Sequence, residues 1–343
     1  MQSKEVSINI DYKVLIKCMT YNHSKFIVDA LNGFAMQKTD YPFVCLVVDD
    51  ASTDGAQNII KGFLEQKCNI NKSEINNQGN ATVTIARHKE NTKCLFVCYL
   101  LTENLFKQPE KKKTLYKTWV DNAKYIALCE GDDFWIDSLK LQKQVDFLEK
   151  NNQYVMCYTG FKVVSAEKEP IKSEFAISNL KKSFSGDIFD ELLKGNFIQT
   201  MTVCYRKEVE DTPIFRKCPA YMDLSLFLSL AWMGLCKFFP ETTSVYRHHG
   251  NSITRSIPEY IYNRGNIIGD YFYELYRKER GDQKTFLENM DIKVNKIKDI
   301  FRLTIDNKRF NQLAKNDLSL YFFYPFGITF YLLRKIKTKL LKK

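Results

Sequence analysis

Residues 125–135 read YIALCEGDDFW, from Tyr125 to Trp135. Ile126, Ala127 and Leu128 form a short apolar run of the kind buried in a parallel sheet. The run ends in three acids, Glu130, Asp132 and Asp133, around Gly131. Carboxylates packed this closely at a strand end repel one another and lose hydration, and a cation relieves both costs. Hard oxygen donors favour Mg²⁺ or Mn²⁺, and Mg²⁺ commonly shares its shell with substrate phosphates. Read in isolation, the same residues also fit a solvated acidic turn.

Upstream, strand and helix patterns alternate. Val14 to Met19 predicts a strand, and Ser24 opens a helix whose apolar face carries Ile27, Ala30, Leu31 and Phe34. Phe43 to Val48 is a second strand, DDASTDG a turn, and Ala56 to Phe63 a helix bearing Ile59, Ile60 and Phe63. Thr82 to Ala86 fits a third strand. Residues 88–118, with lysines at 111–113, read as a basic irregular stretch, and a helix follows the acidic strand from Ser138 to Glu149. Such alternation predicts an α/β fold with a mostly parallel sheet covered on both faces. Beyond Tyr154 the pattern is mixed: strands at Tyr154–Val164, Met201–Tyr205 and Phe238–Arg247, and helices at Asp187–Lys194 and Tyr221–Met233.

Ligands of such sheets lie beyond the carboxyl ends of the strands. One crevice would therefore collect Thr20, Tyr21 and Asn22, then Asp49 and Asp50, then Glu130, Asp132 and Asp133. No GxGxxG and no GxxxxGK[ST] occurs, which argues against dinucleotide oxidoreductases and P-loop enzymes. Ser52 and Asp54 fit helix-start residues, while Trp135 and Trp232 fit the core.

Composition sets the remaining bounds. The 343 residues are 45% hydrophobic and 14% aromatic, enough for a large core. Residues 256–343 carry +8 of the +11 net charge, leaving +3 for the first 255. A basic tail on a nearly neutral body suggests an anionic surface partner rather than a nucleic-acid groove. Ten scattered cysteines with no CxxC pair suggest reduced thiols and a cytoplasmic compartment. The N-terminal residues lack a signal-peptide core, and no stretch reaches the roughly 18 apolar residues of a spanning helix. The tail, with the aromatic run Leu318 to Leu333 before RKIKTKLLKK, suits peripheral contact of residues 318–343 with the inner face of an anionic membrane.

Taken together, CMTYNH (Cys18 to His23), MQKTDYPF (Met36 to Phe43), VVDDASTDG (Val47 to Gly55), ALCEGDDFW (Ala127 to Trp135), KLQKQVDFLE (Lys140 to Glu149), YMDLSLFLSLAWMG (Tyr221 to Gly234) and VYRHHGNSIT (Val245 to Thr254) resemble the inverting family 2 glycosyltransferases of the GT-A fold, in order and spacing. The likeness spans roughly residues 14–254 and is nearest the bacterial surface-polysaccharide type. It implies a catalytic domain over residues 1–255, with a basic helical extension over 256–343. It also implies transfer of a sugar from a nucleotide-sugar, UDP-linked, to a hydroxyl of a glycan or lipid-linked acceptor. By position, Tyr21 and Asp50 would meet the nucleobase, with Thr20, Asn22 and Asp49 beside them. Glu130 and Asp132 fall on the family's DxD pair; Glu130 replaces its first Asp, which makes Asp132 and Asp133 the stronger metal candidates. Asp223 falls on the catalytic base, although an Asp heading a helix also fits a cap. His249 falls on the YRxH histidine near the diphosphate or metal. A nucleotidyltransferase and a non-catalytic nucleotide-sugar-binding membrane-surface protein are the competing readings; the first would normally show a Gly-rich phosphate loop near the first strand.

Overall fold

The computed structural model describes residues 10–78, 80–250 and 258–280. The tail segment 318–343 and most of the expected extension lie outside these residues. The described chain divides into two compact units. The first comprises residues up to Asp187, together with Phe197–Thr212 and Met233–His249; the second comprises Ile188–Asn196, Pro213–Trp232 and the residues from Gly250 onward.

The first unit is built on one ten-stranded sheet. Its central strands are β1 (Val14–Thr20), β2 (Phe43–Asp49) and β6 (Tyr125–Leu128). β1 pairs in parallel with both neighbours, Thr20 opposite Asp49 and Lys17 opposite Leu128. Burial on both faces explains why these strands read as unbroken apolar runs. Helix α1 (Ile27–Ala35) buries the expected face of Ile27, Ala30, Leu31 and Phe34, and α2 (Ala56–Lys67) buries Ile60 and Phe63. α1 approaches the sheet closely: a Cβ on Gly33 would lie 3.0 Å from the Trp135 backbone nitrogen.

The structure corrects the stretch read as irregular. Residues 88–118 contain β5 (Cys94–Leu101), fully buried and parallel to β2, and most of α3 (Pro109–Asp121). CLFVCYLL is itself an apolar run of strand length; the flanking lysines gave the region its irregular look. A strand absent from the sequence reading, β3 (Cys68–Gln78), pairs antiparallel with β4 (Ala81–His88), which in turn runs antiparallel to β5. The sheet order is β3-β4-β5-β2-β1-β6-β9-β8-β10-β7. Its second half uses β7 (Phe134–Trp135), β8 (Tyr154–Ser165), β9 (Cys204–Arg206) and β10 (Leu235–His248), with β8 and β10 parallel. α4 (Lys140–Lys150) follows the acidic turn as expected, and α5 (Glu174–Lys182) was not anticipated.

The second unit is helical: α6 (Phe189–Lys194), α7 (Pro213–Arg216), α8 (Asp223–Met233) and α9 (Pro258–Arg280). Phe189 is its aromatic centre, meeting Trp232 edge-on at 5.0 Å and stacking on Tyr276 at 6.1 Å. Among the described residues, no helix is long and apolar enough to cross a membrane.

Among the buried charged side chains of the first unit, Lys140, the first residue of α4, lies in the core. Lys140 is fully buried, donates to Gln144 Oε1 at 2.6 Å and to the Thr202 carbonyl at 3.2 Å, and sits 4.7 Å from the Trp135 ring centroid. Burial lowers its pKa to about 8. Between that value and the ordinary one near 10.4 the unfolded chain binds the extra proton, so stability should rise as pH rises through this window, by roughly 3 kcal/mol in all. Lys140→Met should flatten that rise; denaturant unfolding at pH 7.5, 8.5 and 9.5 measures it.

Candidate active site

Three loops meet the carboxyl edge of β1, β2 and β6. In the first, Asn22 adopts φ 57°, a left-handed conformation that Asn tolerates. Its N–H donates to Ser52 Oγ at 2.8 Å, and its Oδ1 accepts from the Thr53 N–H at 2.8 Å. The β1–α1 loop is thereby stitched to the β2–α2 turn. Asp49 is consumed by that turn, accepting from the Ser52 N–H and hydroxyl and from Gln57 Nε2. Asp54 accepts from the Ser24 and Ala56 N–H groups. Burial opposes its charge, but these bonds hold its pKa below the usual carboxylate range.

Asp50 is 5% exposed. Its Oδ1 accepts from the Leu105 N–H at 2.7 Å and its Oδ2 from Lys112 Nζ at 2.9 Å. Each oxygen keeps lone-pair capacity for another donor. Lys112 was not singled out from the sequence, because only the rotation of α3 separates it from its neighbours: Lys111 pairs with Glu103 and Lys113 with Glu110. Tyr21 leaves this edge 42% exposed, and Thr20 is 3% exposed.

The acidic turn is pinned to β1 by two backbone bonds, Cys129 N–H to the Lys17 carbonyl at 3.2 Å and Gly131 N–H to the Met19 carbonyl at 3.0 Å. This contact is so close that a Cβ on Gly131 would lie 2.5 Å from Thr20 Oγ1 and 2.7 Å from its Cβ. Glu130 is half-buried beside it. Asp132 points to two imidazoles: His249 Nε2 is 2.9 Å from its Oδ2, and His23 Nε2 is 3.6 Å away. One donor atom from each of the three residues fits within 4.8 Å of the others. Phe26 packs under both rings, 4.9 Å from His249 and 6.5 Å from His23 between centroids.

Burial pushes the His23 pKa down, outweighing the pull of Asp132, so its lone pair is available at neutral pH. For Asp132 burial works the other way, but the His249 hydrogen bond and the nearby His23 hold its carboxyl below the usual range. A neutral imidazole beside an ionised carboxylate is the donor set a divalent cation needs. His23 was missed in the sequence; the clue available was its place two residues beyond Tyr21, at the same strand edge as the acids.

Asp133 was expected to share an ion with Asp132. In the structure it is 5% exposed, its Oδ1 accepts from the Arg247 N–H at 2.8 Å, and it is outside the clustered three. Burial and the adjacent Asp132 charge raise its pKa well above the carboxylate range. Arg247, 1% exposed, spans the site from behind. It donates to the Asp132 carbonyl at 2.9 Å, the Ala166 carbonyl at 3.1 Å and Asp29 Oδ2 at 2.6 Å. Asp223, on the second unit, is the exposed first residue of α8.

The sheet and this acid–histidine cluster make an α/β fold with a polar site beyond the carboxyl edge of its parallel strands. The family model Glycosyl transferase family 2 matches residues 18–99. Over those residues the chain is similar to the family 2 glycosyltransferases. An uncharacterized protein of Mycobacterium tuberculosis is 32% identical over 244 residues, which are 70% of this chain and 60% of the relative; the match thus spans less than two thirds of that protein's length. A Bacillus subtilis protein named as a candidate teichuronic acid biosynthesis glycosyltransferase, TuaG, is 22% identical, covering 71% of this chain and 83% of its own. Among solved structures, Staphylococcus aureus TarS 1–349 in complex with UDP-GlcNAc is 14% identical with TM-score 0.48, over 86% of this chain and 82% of that one. The Pyrobaculum calidifontis mannosyltransferase PcManGT, with GDP-Man and Mn²⁺, is 13% identical with TM-score 0.46, over 95% and 85%.

The contact between Gly131 and Thr20 yields a direct check. Gly131→Ala should destabilise the protein by about 1–3 kcal/mol, because the added methyl meets a β-branched side chain rather than open space. Adding Thr20→Gly should recover part of the loss in a denaturant melt; no recovery would show the clash to lie elsewhere.

Proposed function

We propose that this chain is an inverting, metal-dependent glycosyltransferase, moving a sugar from a UDP-sugar to a hydroxyl of a glycan or lipid-linked acceptor in surface-polysaccharide assembly. The observation that carries this reading is the Asp132 carboxylate between two imidazoles at the carboxyl edge of parallel strands. The name of the Bacillus relative supports the surface-polymer context. Asp132 and His249 would hold the divalent ion, whose charge would stabilise the departing nucleoside diphosphate. Asp133 serves as the tie to β10. Asp50, with Tyr21, Thr20 and Asn22 around it, would receive the nucleobase and ribose, and Lys112 keeps Asp50 oriented.

The chemistry asked of the protein is a displacement. The acceptor oxygen bonds to the anomeric carbon as the bond to the diphosphate oxygen breaks on the opposite face, which inverts the centre. The hydroxyl proton passes to Asp223, the proposed general base, and the electron pair leaves with the diphosphate. In this reading residues 1–255 form the catalytic domain, and residues 256–343 form a basic extension that seats the enzyme on the inner face of the cell membrane.

Three measurements test the reading. With Mn²⁺ and a panel of nucleotide sugars, one UDP-sugar should be hydrolysed or should protect the protein against heat; no response to any of them would refute it. Asp223→Asn should lower kcat by about 10²–10⁴-fold while donor KM changes little. Removing residues 318–343 should shift the protein out of the membrane fraction, and unchanged fractionation would remove the membrane role.

A further inference from the structure

The metal reading leaves open which ion the site prefers, and the third member of the cluster bears on this. An all-carboxylate turn would favour Mg²⁺, which takes oxygen donors and keeps several waters. Here the acidic turn contributes one carboxylate, Asp132, to the cluster, while Asp133 is turned into β10. The other two donors are imidazoles from different loops, His23 after β1 and His249 after β10. Imidazole nitrogen is a poor ligand for Mg²⁺ and a good one for first-row transition ions.

We propose that His23 is a metal ligand and that, with Asp132 and His249, it makes a two-histidine, one-carboxylate site selective for Mn²⁺ over Mg²⁺. The proposal rests on the metal-site reading given above and deepens it. Three features support it. The His23 Nε2 to Asp132 Oδ2 separation of 3.6 Å suits two ligands of one ion, since donors bound at about 2.0–2.2 Å lie roughly 3–4 Å apart. The two imidazoles meet edge to face at 6.0 Å between centroids and share Phe26 as a floor, so both rings are oriented by packing. The His23 side chain is 14% exposed, and its Nδ1 is buried with no hydrogen-bond partner. The other ring nitrogen, Nε2, faces the Asp132 carboxylate, the position from which it would bind an ion.

Metal-free full-length protein, titrated with Mn²⁺ and with Mg²⁺ in the absence of nucleotide, gives the test by calorimetry. The wild type should bind Mn²⁺ about 10-fold or more tighter than Mg²⁺, and pulsed EPR of the Mn²⁺ form should show coupling to two imidazole nitrogens. His23→Gln and His23→Asn should each lose most of that preference and one of the two couplings, while Mg²⁺ affinity changes little; using both guards against one failing to fold. An unchanged Mn²⁺/Mg²⁺ ratio and two couplings in either folded variant would overturn the role of His23. Loss of both ions in Asp132→Asn at the same time would leave the general metal site standing. Unaltered binding of both ions in Asp132→Asn would overturn the site and the inference together.

Discussion

The acidic turn can present Asp132 only because a buried arginine holds the chain behind it. Arg247 comes from the last residues of β10, yet it reaches the Asp132 carbonyl, the Ala166 carbonyl and the Asp29 carboxylate on α1. Its own N–H fixes Asp133. The guanidinium lies between two rings, 4.8 Å from the Phe26 centroid and 5.0 Å from that of Phe134. Burying a guanidinium costs several kcal/mol unless its donors are matched, and here carbonyls and a carboxylate match them. Lys168 also pairs with Asp29, so that helix-borne carboxylate serves two cations. The consequence is a turn whose carbonyl, backbone N–H groups and one carboxylate are committed, leaving the Asp132 side chain to face the imidazoles.

The same economy of partners governs the carboxyl end of β2. Asp49 and Asp50 are adjacent and both buried, but they face different tasks. Asp49 closes its own turn through Ser52 and Gln57, whereas Asp50 reaches across to the segment before α3 and to Lys112. A buried carboxylate needs either a matching cation or several donors, and each of the two has found one of these solutions. Parallel pairing of β1 with β2 and β6 is what sets Thr20 level with Asp49, and aligns the acidic turn on the other side.

Much of the fold was legible in the residues. β1, β2, β6, β8, α1, α2 and α4 follow from apolar runs and helical spacing, because each buries the face its sequence marks. β5 was hidden by the lysines around CLFVCYLL, although a strand buried on both faces needs no alternation. β3 and the short β7 carry little periodic signal, and their pairing with β4 and β10 is a long-range choice. At the site, the acids and His249 stood out by type and place. His23, Lys112 and the arginine behind the turn did not: His23 carried only the clue of its strand edge, and the partners of all three lie on distant segments.

The amino-acid sequence by itself determined the α/β class, the grouping of acids at strand ends and the resemblance to family 2 glycosyltransferases. Local propensity, strand-length apolar runs and ordered motifs are written in neighbouring residues, so they can be read there. Tertiary structure decided which donor faces which: that Asp132 meets two imidazoles while Asp133 meets a backbone N–H, and that Lys112 alone among three consecutive lysines reaches Asp50. Those outcomes depend on helix rotation and strand register fixed by packing of segments tens to more than a hundred residues apart, which no local pattern encodes.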